Sequence, residues 1–271
     1  MGASRLDGAR ALVTGAGGGL GRAFALELSR RGAKVLCADV NLEGAEETAR
    51  QCGAGAFAIE CDVASRDALH TAADAMDARW GGADLVVNNA GVAVAGPVGT
   101  VSETDWRWIV GVNLLGVAHG CEVFVPRFKA QNRGWVLNVA SLAGLIAMPE
   151  MAPYNATKYA VVGLSETLRG ELAGTDVRVS VLCPSFFKTN IVSSGRGVPS
   201  RSRKMAEKLM EKSPIDADDV ARIALDGLER GRFYILPHGE GRLLWGLKRV
   251  VPGGFVNGVP RLFKRVQGWM R

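Results

Sequence analysis

Residues 10–21 of the 271-residue chain read RALVTGAGGGLG, and this stretch decides the fold. Residues 10–14 form a short apolar run typical of a buried strand, and Leu20, Phe24 and Leu28 follow with helical spacing. A glycine loop between a strand and a helix lets backbone N–H groups approach a pyrophosphate, beside the positive end of the helix. The stretch therefore predicts a phosphate-binding turn at the start of an α/β fold.

Six further strand-like segments follow, and they alternate with helical patterns. They begin near residues 35, 56, 84, 135, 177 and 233. Strands joined by helical crossovers form a parallel sheet, and ligands bind at the carboxyl ends of its strands. We therefore expect one catalytic domain over residues 1–240, a Rossmann-type doubly wound parallel sheet of seven strands with helices on both faces. Residues 241–271 would be a basic amphipathic extension.

Asp39 ends the second strand-like run, eighteen residues after Gly21. A carboxylate at this distance accepts hydrogen bonds from ribose hydroxyls and repels a 2′-phosphate. No Arg or Lys occurs among residues 16–20 or at positions 40 and 41. The pattern favours NAD(H) as the cofactor. NADP(H) remains an open alternative, as does a purely structural role for Asp39 as a strand-end cap.

A Tyr-x-x-x-Lys pair and a preceding serine are the candidates for chemistry. Tyr154 and Lys158 share one face of a predicted helix, so the ammonium is expected to lower the phenol pKa from about 10. Ser141 follows the strand-like run 135–139 and brings a hydroxyl to the same edge. These groups can polarise a carbonyl and pass it a proton. The structural alternative is a solvated lysine beside a half-buried tyrosine.

Two groups of asparagines have both a structural and a functional interpretation. Asn88-Asn89-Ala90-Gly91 follows a strand and can fix a turn through side-chain hydrogen bonds, or wall a nucleotide site. Asn113 lies among apolar residues of a helix predicted over 105–130. It is either a satisfied core amide or a residue that bends the helix and holds a water.

Together these residues resemble the short-chain dehydrogenase/reductase family over about residues 5–236. The resemblance rests on Thr14-Gly15-x-x-x-Gly19-x-Gly21, Asp62-Val63, Asn88-Asn89-Ala90-Gly91, Asn113, Ser141, Tyr154-x-x-x-Lys158 and Pro184 with Thr189. It implies that Tyr154 exchanges the proton, that Ser141 hydrogen-bonds the carbonyl oxygen, and that Lys158 lowers the Tyr154 pKa and holds the nicotinamide ribose. Asn113 would keep a water that links Lys158 to solvent.

The resemblance also implies the cofactor contacts. These are Gly15, Gly17, Gly19, Leu20, Gly21, Asp39, Asp62, Val63, Asn89, Ala90, Gly91, Tyr154, Lys158, Pro184, Phe187 and Thr189. Asp62 and Val63 would line the adenine, and Phe187 and Thr189 would meet the nicotinamide amide. The chain departs from the family pattern at Ser185, where a glycine is usual, so the path of that loop is open.

The residues expected near the proton donor are mostly apolar. They are Val94, Leu142, Met148, Met151, Ser185 and Phe186. No motif places an Arg or His where it could bind a carboxylate, so we expect a hydrophobic secondary alcohol or ketone as substrate. The polar, basic segment 185–215 is interpreted as a lid, with a plain surface loop as the alternative.

Composition excludes several other classes of function. The five cysteines form no Cys-x-x-Cys pair and the three histidines are scattered, so we expect no metal site and a reducing, cytoplasmic compartment. The first residues have no secretory pattern, and no run of eighteen apolar residues occurs, so no membrane-spanning helix is predicted. There is no aromatic–basic repeat that would point to nucleic acid.

Charge is distributed unevenly along the chain. Residues 1–187 hold 16 basic and 19 acidic side chains, whereas residues 188–271 hold 17 and 8. In residues 241–271 basic and large apolar residues interleave, with a Pro-Gly-Gly break at 252–254. This extension predicts either peripheral contact with a membrane, a cover over an apolar entrance, or packing on its own or a neighbouring subunit.

The sequence thus predicts an NAD-dependent alcohol dehydrogenase or ketoreductase. An NADP-dependent ketoreductase and a catalytically silent dinucleotide-binding regulatory or scaffold protein are the alternatives. The resemblance also implies a homodimer or homotetramer, assembled through the helices expected at 105–130 and 154–173.

Overall fold

The computed structural model describes residues 4–189, 191, 195–197 and 200–258. Within them, seven strands form one parallel sheet in the order β3-β2-β1-β4-β5-β6-β7. The strands are β1 (Arg10–Thr14), β2 (Lys34–Asp39), β3 (Ala56–Glu60), β4 (Leu85–Asn88), β5 (Gly134–Val139), β6 (Val177–Leu182) and β7 (Tyr234–Ile235). The predicted α/β fold with a doubly wound parallel sheet is confirmed.

Helices cover both faces of the sheet. They are α1 (Gly19–Arg30), α2 (Leu42–Cys52), α3 (Arg66–Trp80), α4 (Glu103–Val110), α5 (Gly116–Ala130), α6 (Ala152–Glu171), α7 (Ser200–Glu211), α8 (Ala217–Glu229) and α9 (Gly239–Val250). Residues 252–258 are also helical.

Two hydrophobic cores lie on opposite sides of the sheet. Neighbouring residues of a strand point to opposite faces, so Leu12 joins one core and Val13 the other. The first core packs α3, α5 and α6 on the sheet, and the second packs α1, α2 and α8. Burial on both faces explains why the strands are continuously apolar rather than alternating. It also leaves the carboxyl ends of the strands as the open edge.

The stretch Glu103–Ala130 is the one helical stretch, among the described residues, that is long and apolar enough to cross a membrane. Length and composition alone are weak support for such a span, because the core helix of a soluble protein can be equally long and apolar. Phe124 and Phe128 from this stretch are fully buried in the first core. Packing on the sheet therefore accounts for much of its apolar character.

The same stretch differs from the regular helix predicted over 105–130. A π-helical turn, Gly111–Leu115, separates α4 from α5. Asn113 lies at its centre and is fully buried. A π turn shifts the hydrogen-bond register and is frequent at functional sites.

The predicted lid carries more helix than its composition indicated, whereas the extension contains helix in its first amphipathic piece, as predicted. The predicted lid, 185–215, contains α7, twelve residues long. The first amphipathic piece of the extension is α9, and the second piece begins in the helical residues 252–258 and continues into residues outside the described part.

Candidate active site

A cavity of about 1220 Å³ opens at the carboxyl ends of the strands. Fifteen of the sixteen predicted cofactor contacts line it: Gly15, Gly19, Leu20, Gly21, Asp39, Asp62, Val63, Asn89, Ala90, Gly91, Tyr154, Lys158, Pro184, Phe187 and Thr189. The predicted catalytic hydroxyl of Ser141 and all six predicted substrate contacts, Val94, Leu142, Met148, Met151, Ser185 and Phe186, line it too. Gly17 and Asn113 do not line the cavity.

Two glycines of the loop, Gly15 and Gly21, lie so close to neighbouring backbone atoms that a side chain would not fit. A Cβ on Gly21 would lie 1.9 Å from the carbonyl oxygen of Gly15, and one on Gly15 would lie 2.9 Å from the Cα of Ala90. Gly15 also has a φ of +68°, which disfavours other residues. Position 18 differs, because a Cβ on Gly18 would meet no protein atom within 4 Å.

The start of α1 fits a dinucleotide pyrophosphate. Gly18 is the N-cap of α1, and no side chain caps that end. The first turn of α1 also carries no acid. Unpaired N–H groups at a helix start attract an anion, and the free space beside Gly18 leaves room for one.

Asp39 is held in place by the glycine loop. Its Oδ2 accepts the backbone N–H of Gly17 at 2.8 Å, and its Oδ1 accepts that of Asn41 at 2.9 Å. Gly17 therefore orients the carboxylate rather than lining the cavity, which differs from its predicted role as a direct contact. The carboxylate itself lies at the cavity wall, where the ribose of a bound dinucleotide would meet it.

Asn89 ties the loop after β4 to β1. Its side-chain amide donates to the carbonyl of Thr14 at 2.8 Å, and the hydroxyl of Thr14 accepts the backbone N–H groups of Asn89 and Ala90, each at 3.0 Å. Both interpretations of this asparagine are therefore compatible with its position, since it fixes a turn and also lines the cavity.

Ser141, Tyr154 and Lys158 come together from β5 and α6. A hydrogen bond links the side chains of Tyr154 and Ser141, and the hydroxyl of Ser141 also accepts the N–H of Ala143 at 3.1 Å. The ammonium of Lys158 lies 5.8 Å from the centre of the Tyr154 ring and donates to the carbonyl of Val139 at 2.9 Å. The sequence predicted this constellation from spacing alone.

The pKa of Tyr154 departs from its ordinary value in the direction opposite to that predicted. Burial raises the pKa of Tyr154, and the hydrogen bond with Ser141 only partly offsets this. Burial also lowers the pKa of Lys158 to about 8. In this structure the phenol is therefore protonated at neutral pH, and desolvation is the larger of the two effects on its pKa.

Asn113 has the environment of a satisfied core amide. Its Oδ1 accepts the N–H of Val92 at 2.8 Å, and its Nδ2 donates to the carbonyl of Val92 at 2.9 Å. A Cβ on Gly91 would lie 3.4 Å from Asn113 Oδ1 and 3.5 Å from Lys158 Nζ, so the Asn113 amide lies close to the Lys158 ammonium. Its expected role in holding a water remains a prediction.

Several apolar cavity residues were missed by the sequence analysis. They are Trp108, Ile146, Met205, Leu209, Met210 and Leu244. Three of them lie on α7, inside the predicted lid. Met205, Leu209 and Met210 have i, i+4, i+5 spacing, which was a usable signal of an apolar helix face. The basic residues around them obscured it.

The loop after β6 is held by a histidine that no motif indicated. The backbone N–H of Ser185 donates to Nδ1 of His238 at 3.1 Å. The ring of His238 also packs against that of Phe187, with centroids 6.3 Å apart. His238 is buried, and burial lowers its pKa. The departure from glycine at Ser185 is thus accommodated by a side chain that follows β7.

Comparison with known proteins agrees with this geometry. The family profile described as short chain dehydrogenase matches residues 9–197. The chain belongs to the short-chain dehydrogenase/reductase family. The predicted resemblance is thereby confirmed, and with it the assignment as an oxidoreductase of a family that binds NAD(H) or NADP(H).

Relatives of this short-chain dehydrogenase/reductase cover most of its length. SadH of Mycobacterium tuberculosis, assigned as an oxidoreductase, is 34% identical over 262 residues, 93% of this chain and 94% of SadH. D-threitol dehydrogenase of Mycolicibacterium smegmatis is 38% identical over 190 residues, 69% and 73% of the two chains. A short-chain dehydrogenase/reductase from Burkholderia phymatum, crystallised with NAD, is 37% identical with a TM-score of 0.83, covering 92% and 95%.

Proposed function

We propose that the protein transfers a hydride between NAD(H) and a hydrophobic secondary alcohol or ketone, with Tyr154 as general acid and base. The observation that carries this proposal is the composition of the cavity. Ser141, Tyr154 and Lys158 supply polar groups at one place, while much of the remaining wall is apolar.

A bound dinucleotide supplies or accepts the hydride, and the protein handles the proton. Tyr154 is protonated at neutral pH, since the ordinary pKa of a phenol is about 10 and burial raises that of Tyr154 further. A protonated phenol suits donation to a carbonyl oxygen during reduction. Ser141 orients the same oxygen through its hydroxyl. Lys158 places a positive charge near the oxygen as negative charge develops there. Oxidation of the alcohol is the reverse of this step and requires Tyr154 as the phenolate, which takes the hydroxyl proton as the hydride leaves for the cofactor.

The preference for NAD(H) follows from Asp39. Its carboxylate is fixed at the cavity wall by two backbone N–H groups. A 2′-phosphate would place about 1.5 to 2 negative charges beside it without a basic partner among residues 16–20 of the glycine loop. The relative crystallised with NAD supports this preference.

The apolar substrate follows from the walls beyond the reacting groups. Leu142, Ile146, Met148, Met151 and Phe186 are among the residues that line the cavity. Apolar walls gain little from a polyol and desolvate its hydroxyls without replacement. The name of the relative D-threitol dehydrogenase points to a small polyol, so polyols are the competing substrate class.

Association through the helices of the first core is proposed as well. Leu115 is 45% exposed on the stretch Glu103–Ala130, whereas Gly116 and Val117 beside it are buried. An apolar face of this kind is suited to pairing with a second copy in a homodimer or homotetramer. The mass of the purified protein in solution tests this step.

A substrate screen tests the proposed function. Secondary alcohols from threitol to long-chain and polycyclic compounds would be offered with NAD or NADP, and absorbance of the reduced nicotinamide followed. We expect kcat/KM to rise with apolar size and to be greater with NAD. Turnover confined to polyols or charged hydroxy acids would contradict the apolar substrate, and turnover with NADP alone would contradict the cofactor.

A further inference from the structure

Residues 241–271 combine positive charge with exposed apolar side chains. The segment holds seven basic residues and no acidic one. Of the eleven large apolar side chains exposed in the described residues, six lie here: Leu243, Leu244, Leu247, Val250, Val251 and Val256. The described part of the segment is only 18 residues long, so apolar exposure is concentrated on it.

One face of α9 is fixed to the body of the protein. Trp245 packs on Tyr234 with ring centroids 4.8 Å apart. The ammonium of Lys248 donates to the carbonyl of Leu145 at 2.7 Å and also contacts the hydroxyl of Tyr159. The helix is therefore held in a defined orientation.

The opposite face of α9 is an apolar stripe. Leu243 is 74% exposed, Leu247 is 52% exposed and Val250 is 80% exposed. Their i, i+4, i+7 spacing places them in one line along the helix. We call these three residues the α9 stripe. A line of exposed large apolar side chains on an anchored helix marks a contact surface rather than ordinary surface variation.

We propose that the α9 stripe docks on the surface of an anionic lipid bilayer. Arg242 and Arg249 lie on the same helix, and both are exposed. An interfacial helix inserts its apolar side chains at the headgroup boundary while basic residues meet anionic lipid. Residues 261–271, which lie outside the described part of the chain, add four basic and five large apolar residues, again without an acid.

Charge favours a bilayer over a second copy of the chain. Two copies that met through this surface would bring together two stretches, residues 241–258, that each hold three basic residues and no acidic one. Like charges at an interface oppose association. An anionic bilayer, in contrast, complements the positive charge and accepts the apolar stripe.

The surface lies beside the mouth of the cavity. Leu244, next to Leu243 on α9, lines the cavity and is 37% exposed. Docking through the stripe would therefore bring the entrance close to the bilayer, where apolar alcohols and ketones concentrate. This consequence rests on the proposed function, whereas docking itself does not.

Sedimentation with lipid vesicles tests docking on the full-length protein. Vesicles of phosphatidylcholine with phosphatidylglycerol would be compared with phosphatidylcholine alone. We expect co-sedimentation with the anionic vesicles, weakening as salt rises. The variant Leu243→Ser/Leu247→Ser/Val250→Ser should bind at least about tenfold more weakly, since three apolar side chains lose their burial.

A matched variant and two further readouts make the result decisive. Val98 is 86% exposed and lies outside the extension, so Val98→Ser should leave vesicle binding unchanged. The stripe variant should keep wild-type turnover of a water-soluble substrate, which separates docking from the proposed function. Wild-type protein that stays in solution with anionic vesicles would overturn the proposal. So would a stripe variant that binds normally, or one that changes only the oligomeric mass.

Discussion

The backbone N–H of Ser185 donates to Nδ1 of His238 across 3.1 Å, which joins the loop after β6 to the start of α9. His238 must keep Nδ1 unprotonated to accept this bond. Burial lowers the pKa of His238, so the neutral form is favoured in the folded protein. The loop that carries Ser185 and Phe187 lines the cavity, and its position therefore depends on the state of this histidine.

Replacing His238 should weaken the dinucleotide site. His238→Ala leaves the Ser185 N–H without its acceptor, and we expect a loss of about 1–3 kcal/mol in unfolding free energy. The dissociation constant for NADH should rise by about three- to tenfold, measured by fluorescence titration. His238→Asn, whose Oδ1 can take the place of Nδ1, should restore most of the affinity. Wild-type affinity in His238→Ala would contradict this role.

The same histidine predicts a pH dependence of stability. Because its folded pKa lies below the ordinary value of 6.5, the unfolded chain binds more protons between these two values. The stabilisation is therefore complete above about pH 6.5 and is lost as pH falls through the folded pKa. In His238→Asn this contribution should disappear, as thermal unfolding between pH 5 and 7.5 would show.

Asp39 predicts the choice of cofactor. Asp39→Asn keeps an oxygen acceptor for the N–H of Gly17 but removes the charge. The ratio of kcat/KM for NADP to that for NAD should rise by about tenfold or more, as one repulsive contact is lost. Asp62→Asn is the matched control, because Asp62 also lines the cavity and its Oδ1 accepts the N–H of Ala64. An equal change in both variants would contradict a specific role for Asp39.

Two glycines of one loop should respond differently to alanine. Gly21→Ala places a Cβ against the carbonyl of Gly15, so we expect misfolding or a large loss of stability. The Cβ of an alanine at position 18 would have no protein atom within 4 Å, so the fold should persist. The same Cβ would occupy the space left for the pyrophosphate, so dinucleotide binding should fall by at least about tenfold. Thermal unfolding and NADH titration separate the two effects. Unchanged NADH binding in Gly18→Ala would contradict the prediction that the pyrophosphate binds beside Gly18.

The buried ammonium of Lys158 is expected to lower the free energy of unfolding at neutral pH. Its pKa of about 8 lies below the ordinary value of 10.5, so below pH 8 a buried charge is carried at a cost. Lys158→Met should therefore raise the free energy of unfolding at pH 7 by about 1–2 kcal/mol. This gain is smaller than the free energy that corresponds to the whole pKa shift of Lys158, because the Val139 carbonyl loses its hydrogen-bond donor. Turnover should be lost.

The sign of the Lys158 effect can be followed with pH. Between about pH 8 and 10.5 the unfolded chain binds more protons at this site, so wild-type stability rises relative to Lys158→Met. Denaturant unfolding of both proteins across this range measures the difference. A lysine that stabilised the fold at pH 7 would show the opposite trend.

The fold could be predicted because its signals are local. The apolar runs of the seven strands and the glycines at 15, 19 and 21 follow from short-range patterns, as does the spacing of Tyr154 and Lys158. Parallel topology then brings the strand ends together, so one cavity collects residues that are far apart in sequence. No three-dimensional information was needed for these features.

Other features depend on packing that the sequence does not display. Nothing near His238 indicates that it accepts a bond from Ser185, since 53 residues separate them. The pKa of Tyr154 was predicted in the wrong direction, because burial is set by the complete fold and outweighs the hydrogen bond with Ser141. The apolar face of α7 was hidden by its basic residues.

The central claim is that Tyr154 exchanges the proton with the substrate. Turnover and NADH binding should be measured together in Tyr154→Phe, with Tyr159→Phe as the control, since Tyr159 contacts Lys248 and does not line the cavity. We predict that Tyr154→Phe loses at least about a hundredfold in kcat and binds NADH like the wild type, while Tyr159→Phe keeps its turnover. Near-normal kcat in Tyr154→Phe would contradict the account.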